Sequence, residues 1–190
     1  AGRRITINED VAIDTDNGDL TLEANDCTGG GSKCTNYRGN FAGYILMDTG
    51  RSVDTGEGTF TANLGTSGDS GDITLNTVTA NNLIVTNNGT TSGSDILDTG
   101  VLTITGTSAF TTGTSNAVIT LNTATNDFTG DVSFTTAGTS GNVTVVDASA
   151  IELDASTING NLSITANGTI TDENNSVITV TGTADLINQG

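Results

Sequence analysis

Residues 72–89 read Asp-Ile-Thr-Leu-Asn-Thr-Val-Thr-Ala-Asn-Asn-Leu-Ile-Val-Thr-Asn-Asn-Gly, and residues 118–128 return to the same text as Val-Ile-Thr-Leu-Asn-Thr-Ala-Thr-Asn-Asp-Phe. The kernel is apolar–hydroxyl–apolar. It recurs as Ile5-Thr6-Ile7, Leu20-Thr21-Leu22, Leu102-Thr103-Ile104, Val143-Thr144-Val145, Leu162-Ser163-Ile164 and Ile178-Thr179-Val180. A period of two sends both apolar side chains to one face and the hydroxyl to the other, the pattern of a strand with one dry and one wet side. Between the kernels sit Gly, Asn, Asp and Ser, with Asn-Gly at 17–18, 88–89, 159–160 and 167–168. Asn-Gly reaches positive φ at low cost and closes tight turns. No apolar stripe at helical spacing lasts beyond two turns, so helix content is expected near nil.

The two long copies are offset from Ile73 to Ile119. That offset is about two units of roughly 20–25 residues each, the signature of a solenoid, propeller or array. A propeller blade needs four strands and a blade signature, which is missing. A sandwich needs hairpins and larger core side chains. The reading is therefore all-β: one parallel β-helix (β-solenoid) domain over 1–190, of roughly eight or nine coils and roughly 40 Å long. Each coil buries its faces only against its neighbours.

Composition agrees. Thr (38), Gly (25), Asn (21) and Ser (14) make up more than half of the 190 residues, which also suits a linker, but the ordered Ile, Val and Leu argue against disorder. The net charge of −17 argues against a nucleic-acid or anionic-lipid partner, both of which need a basic face. With no His, imidazole bases and His-ligated metals are excluded. No apolar run is long enough to insert in a membrane as a helix. The opening Ala1-Gly2-Arg3-Arg4 shows no signal peptide, so the sequence reads as a mature chain or an excerpt of a longer one.

Residues 25–51 break the texture. A loop excursion near 25–44 holds Cys27, Cys34, Lys33, Tyr37, Arg38, Phe41 and Tyr44. Loops on a rigid scaffold carry recognition, and Tyr with Arg is a good contact pair, so these last five residues form the candidate binding loop; a structural cap is the other reading. Cys27 and Cys34, across a Gly-rich turn, are expected to form a disulfide that staples it; without His or a second Cys pair they make a poor metal site.

All five basic residues lie in 1–51, and 52–190 carry 14 acids and no base. Asp14, Asp16 and Asp19 offer alternating oxygens around Asn17-Gly18, a weak candidate calcium site, but the stretch departs from the EF-hand pattern and a plain Asn-Gly turn is the favoured reading. No other cofactor is indicated. The adjacent acids Glu9-Asp10 and Asp172-Glu173 lack the base or sugar platform that β-helix hydrolases and lyases need, so no catalytic residue is assigned. Thr-x-Thr pairs such as 59/61, 77/79 and 103/105 sit at differing places relative to the turns and read as ladders rather than an ice-binding array.

The strings 119–130, 146–153, 160–168 and 180–186 resemble repeats of filamentous-haemagglutinin-type adhesins, large secreted bacterial proteins exported by two-partner or autotransporter routes. The resemblance covers residues 70–190 well and 1–24 loosely. It implies a right-handed parallel β-helix serving as an extracellular, cell-surface stalk or adhesive fibre, non-catalytic, with neighbouring repeats or a surface receptor as partners. The alternative is a subunit stacking end to end on itself into a filament or sheath, because no Pro or Lys-rich edge blocks the terminal strands.

Overall fold

In a computed structural model, the described residues are 4–8, 11–25, 43–66, 70–90, 93–174 and 176–190. They form strands and turns with no helix, and no helix is long and apolar enough to cross a membrane.

The strands wind in rungs. The first rung holds β1 (Arg4–Ile7), β2 (Ala12–Asp14) and β3 (Leu20–Ala24). The second holds β4 (Gly43–Met47), β5 (Ser52–Asp54) and β6 (Thr59–Leu64), and the third β7 (Ser70–Leu75), β8 (Thr77–Ala80) and β9 (Asn82–Asn87). The fourth is β10 (Ile96–Asp98), β11 (Leu102–Ile104) and β12 (Ser108–Thr112), and the fifth β13 (Ile119–Leu121), β14 (Asp127–Phe128) and β15 (Val132–Thr135). The sixth is β16 (Val143–Asp147), β17 (Ile151–Leu153) and β18 (Ser156–Ile158), and the seventh β19 (Leu162–Ala166), β20 (Ile170–Asp172) and β21 (Ile178–Val180). β22 (Ala184–Asn188) opens an eighth.

Every pairing is parallel, and along the first wall, β1–β4–β7–β10–β13–β16–β19–β22, each joins the same position of successive rungs. This is a parallel β-helix of eight rungs. Seven spacings of about 4.8 Å make the stack about 34 Å long.

Registered strands turn a sequence period into side-chain columns. Ile5, Ile45, Ile73, Ile96 and Ile119 occupy one inward column, continued by Val143, Leu162 and Ala184. The offset between the two long sequence copies is thus two equal rungs, Ile73 to Ile96 and Ile96 to Ile119. On the third wall, Phe110 stacks on Phe134 with ring centroids 5.7 Å apart and meets the edge of Phe128 at 6.1 Å. Branched and aromatic side chains fill the bore, and their burial is the main favourable contribution.

Two rungs depart from the mean. The first coil, from Ile5 to its partner Ile45, is the longest, and the next, from Ile45 to Ile73, is already much shorter. The excess lies between β3 and β4, where the sequence predicts an excursion. The sixth coil, from Val143 to Leu162, is the shortest. Its shortness removes a corner: the five-strand wall ends at β14, and β17 and β18 both register on β15.

Candidate functional site

The corners carry the polar chemistry. At the entry to the first wall, an Asp or Asn on one rung caps the backbone amide of the next. Asp95 N donates to Asp72 Oδ1 (3.0 Å), Val118 N to Asp95 Oδ1 (2.8 Å), Asn161 N to Asn142 Oδ1 (2.8 Å) and Thr183 N to Asn161 Oδ1 (2.9 Å). At the entry to the third wall, Thr59 N donates to Asp19 Oδ1 (2.8 Å) and Thr107 N to Asn82 Oδ1 (2.9 Å). These bonds satisfy amides that a turn would otherwise leave unpaired, which explains the excess of Asn and Asp.

Two acids turn inward at corners. Asp98 accepts from Asn122 N (2.9 Å), Thr123 N (3.2 Å) and Asn126 Nδ2 (2.7 Å), and Asn126 Oδ1 accepts from Leu102 N (2.9 Å). Asp147 accepts from Phe128 N (3.0 Å) and Ser149 N (2.6 Å). Burial pushes the Asp147 carboxyl above the usual range; hydrogen bonds from Phe128 and Ser149 oppose this and the neighbouring Asp127 adds to it. Burial also raises Asp95, against the bond from Val118 and with the charge of Asp72. Glu173 is raised by partial desolvation and by Asp131, Asp154 and Glu152, which crowd one corner of rungs five to seven.

The outer face of the third wall bears a column that strand-by-strand reading misses: Thr86, Thr111, Thr135, Thr157 and Thr179, one per rung. The Thr-x-Thr pairs share no such column throughout; only Thr79 and Thr103 stack. Between the third and first walls, turns of successive rungs leave an open groove of about 580 Å³, lined by Thr66, Asn88, Thr90, Thr114, Ser115 and Asn116 among others. Its lining is neutral and hydrogen-bonding, in a chain of net charge −17.

The expected site residues fare differently. Cys27, Lys33, Cys34, Tyr37, Arg38 and Phe41 lie outside the described residues. Tyr44 already belongs to β4, half-buried on the rod, with the Arg4 guanidinium 5.1 Å from its ring centroid. Asp14 Oδ1 accepts from Asp16 N (2.8 Å) in a turn where Asp16 and Asn17 take positive φ, while Asp19 turns to Thr59. The Asp14 and Asp19 carboxylates thus serve the turn and the corner cap, and no group of three or more His, Cys, Asp or Glu is placed to hold a metal ion among the described residues.

The repeat seen in the rungs is also a family signature. The sequence matches the family described as Repeats of unknown function (DUF5649) over residues 61–135 and 140–190, more than half of the chain. The chain belongs to this family. The two matched stretches break within 136–139, at the turn that leads from β15 toward β16. Comparison with curated proteins gives no match, and comparison with solved structures gives none. As a member of this family, the chain is a structural repeat module of β-solenoid type.

Proposed function

We propose that this module is a non-catalytic segment of the stalk or fibre of a secreted bacterial surface protein of filamentous-haemagglutinin type, working outside the cell. The observation that carries the reading is the unbroken column from Ile5 to Ala184: each rung adds one similar layer, so the product of the sequence is length and stiffness. The Thr column, Asn caps and acids that clothe the rod suit a hydrated, self-repelling surface. In this reading the segment between β3 and β4 is displayed from the side of the rod, stapled by a Cys27–Cys34 disulfide, and its Lys33, Tyr37, Arg38 and Phe41 meet the receptor.

The experiment is immunogold electron microscopy of intact source cells with antibody to the purified chain, paired with protease shaving. Gold along surface fibres, lost on shaving, is expected. Gold confined to the cell interior would overturn the reading. The alternative is end-to-end stacking of copies, in which the edge strand of one copy pairs with that of the next. Such an edge accepts one more rung from the same polypeptide or from a second copy. Immunoblotting of the surface material separates the two: a polypeptide much longer than this chain supports the stalk, and subunits of this chain's own length in fibres support stacking.

A further inference from the structure

Ser149 stands between two carboxylates on successive rungs. Its Oγ lies 2.9 Å from Asp127 Oδ1 and 3.0 Å from Asp147 Oδ1, with the Ala150 carbonyl at 3.3 Å. A hydroxyl has one proton to donate. If both acids are ionised, only one of the two short contacts is a hydrogen bond, and the other sets lone pair against lone pair. Both become bonds when one carboxyl carries a proton and donates it to Oγ.

Burial selects the carrier. Asp147 is 1% exposed, whereas Asp127 is only half-buried on the outer face of β14. Among the described residues the surroundings bring no cation. Asp127 stacks on Thr103 of β11, Asp98 is reached through Asn126, and the following rung offers Ala166 and the backbone N–H of Asn167, which donates to Asp147 O. Residues 52–190 contain no Lys or Arg. A buried carboxylate without a cation is stabilised by taking a proton.

We propose that Asp147, Ser149 and Asp127 form a shared-proton bridge, neutral Asp147 donating to Ser149 Oγ and Ser149 donating to Asp127, so that the seam between rungs five and six tightens as pH falls. The balance is one proton taken from solvent per bridge, with no bond broken and no metal involved. For a rod that carries 14 acids beyond residue 51, the bridge is an acid-responsive clamp that does not depend on where the rod works.

The direct test is a carboxyl carbon-13 NMR titration of the whole chain. Asp147 is expected to titrate above an ordinary Asp, whose midpoint is about 3.9. A midpoint at or below that value overturns the proposal. The second measurement uses Asp127→Asn, whose amide can donate to Ser149 Oγ and leave that hydroxyl to donate to ionised Asp147. The Asp147 midpoint should then fall toward the ordinary Asp value; an unchanged midpoint shows that burial alone acts on Asp147 and overturns the sharing. Asp147→Asn is the wrong mimic, because both Asp147 oxygens accept backbone N–H groups and one would face an NH2 instead.

Discussion

Phe110 is where the account is most exposed to a number. Its ring is 1% exposed, stacked on Phe134 of the next rung, edge-on to Phe128 and registered on Val85 of the previous one. Phe110→Ala removes the ring's burial and leaves a void that rigid strand ladders cannot collapse into, a loss of about 3–5 kcal/mol. Phe110→Leu keeps most of the burial but loses both ring contacts, each worth about 0.5–1.5 kcal/mol, so it should cost about 1–3 kcal/mol. Urea unfolding followed by far-UV circular dichroism reads both. Because a solenoid transmits stability only through neighbouring layers, the Ala variant should also show a lower m-value or a split transition, as rungs on either side of the void uncouple. Equal costs for Ala and Leu, or a loss under about 1 kcal/mol for Ala, would refute the reasoning that this column is packed rung on rung.

Ser108 sits 2% exposed between Leu83 and Val132 with its hydroxyl unpartnered, so Ser108→Ala should leave stability unchanged or raise it by about 1 kcal/mol in urea; a clear loss would show a partner for that oxygen. A Cβ on Gly130 would collide with the Gly106 carbonyl oxygen one rung below, backbone that cannot swing away, so Gly130→Ala should lower the denaturation midpoint by an amount equal to about 1–3 kcal/mol. Asp98→Ala leaves Asn122 N, Thr123 N and the Asn126 amide without an acceptor and should cost about 3 kcal/mol or more in the same assay. Asp95, Asp147 and Glu173 are all raised, so the fold favours their neutral forms: their contribution is fully present below the unfolded carboxyl range and is lost as pH rises through their folded values. Calorimetry as pH is lowered toward the ordinary carboxyl range should therefore show these three groups raising the melting temperature, and Asp147→Asn and Asp95→Asn variants that leave the pH slope unchanged would contradict the sign. Intact mass of the native chain should be two hydrogens below that of the reduced chain if Cys27 and Cys34 are bridged; two alkylatable thiols would remove the staple.

The rungs were legible because a hydroxyl between two β-branched or leucine side chains can satisfy only a half-wet strand, and because the repeat from Ile73 to Ile119 spans two coils. Register is what the one-dimensional text conceals. Phe110, Phe128 and Phe134 follow no marked spacing, yet winding brings them together. The Thr column escaped for the same reason: its members stand one to a rung, a full coil of sequence apart, while Thr-x-Thr pairs within a strand catch the eye. Nothing in the sequence sets Asp98 and Asp147 apart from the other acids of 52–190. Their inward direction depends on corner geometry, set by the amides of the neighbouring rung rather than by adjacent residues. The merging of two walls at rung six follows from the short path between Val143 and Leu162, a length cue visible only once the register is known.

The central claim is that sequence distance maps onto rung number, one strand spacing per coil. Glu23, Asn63, Thr86, Thr111, Thr135, Thr157 and Thr179 stand in one outward column. Spin labels at Glu23→Cys and Thr179→Cys, with Cys27 and Cys34 changed to Ser, span six spacings, or about 29 Å. A double electron–electron resonance distance near that value, shrinking to about 19 Å for a Thr86/Thr179 pair, is the predicted result. Distances that fail to shrink with the number of rungs between the labels would contradict the parallel stack.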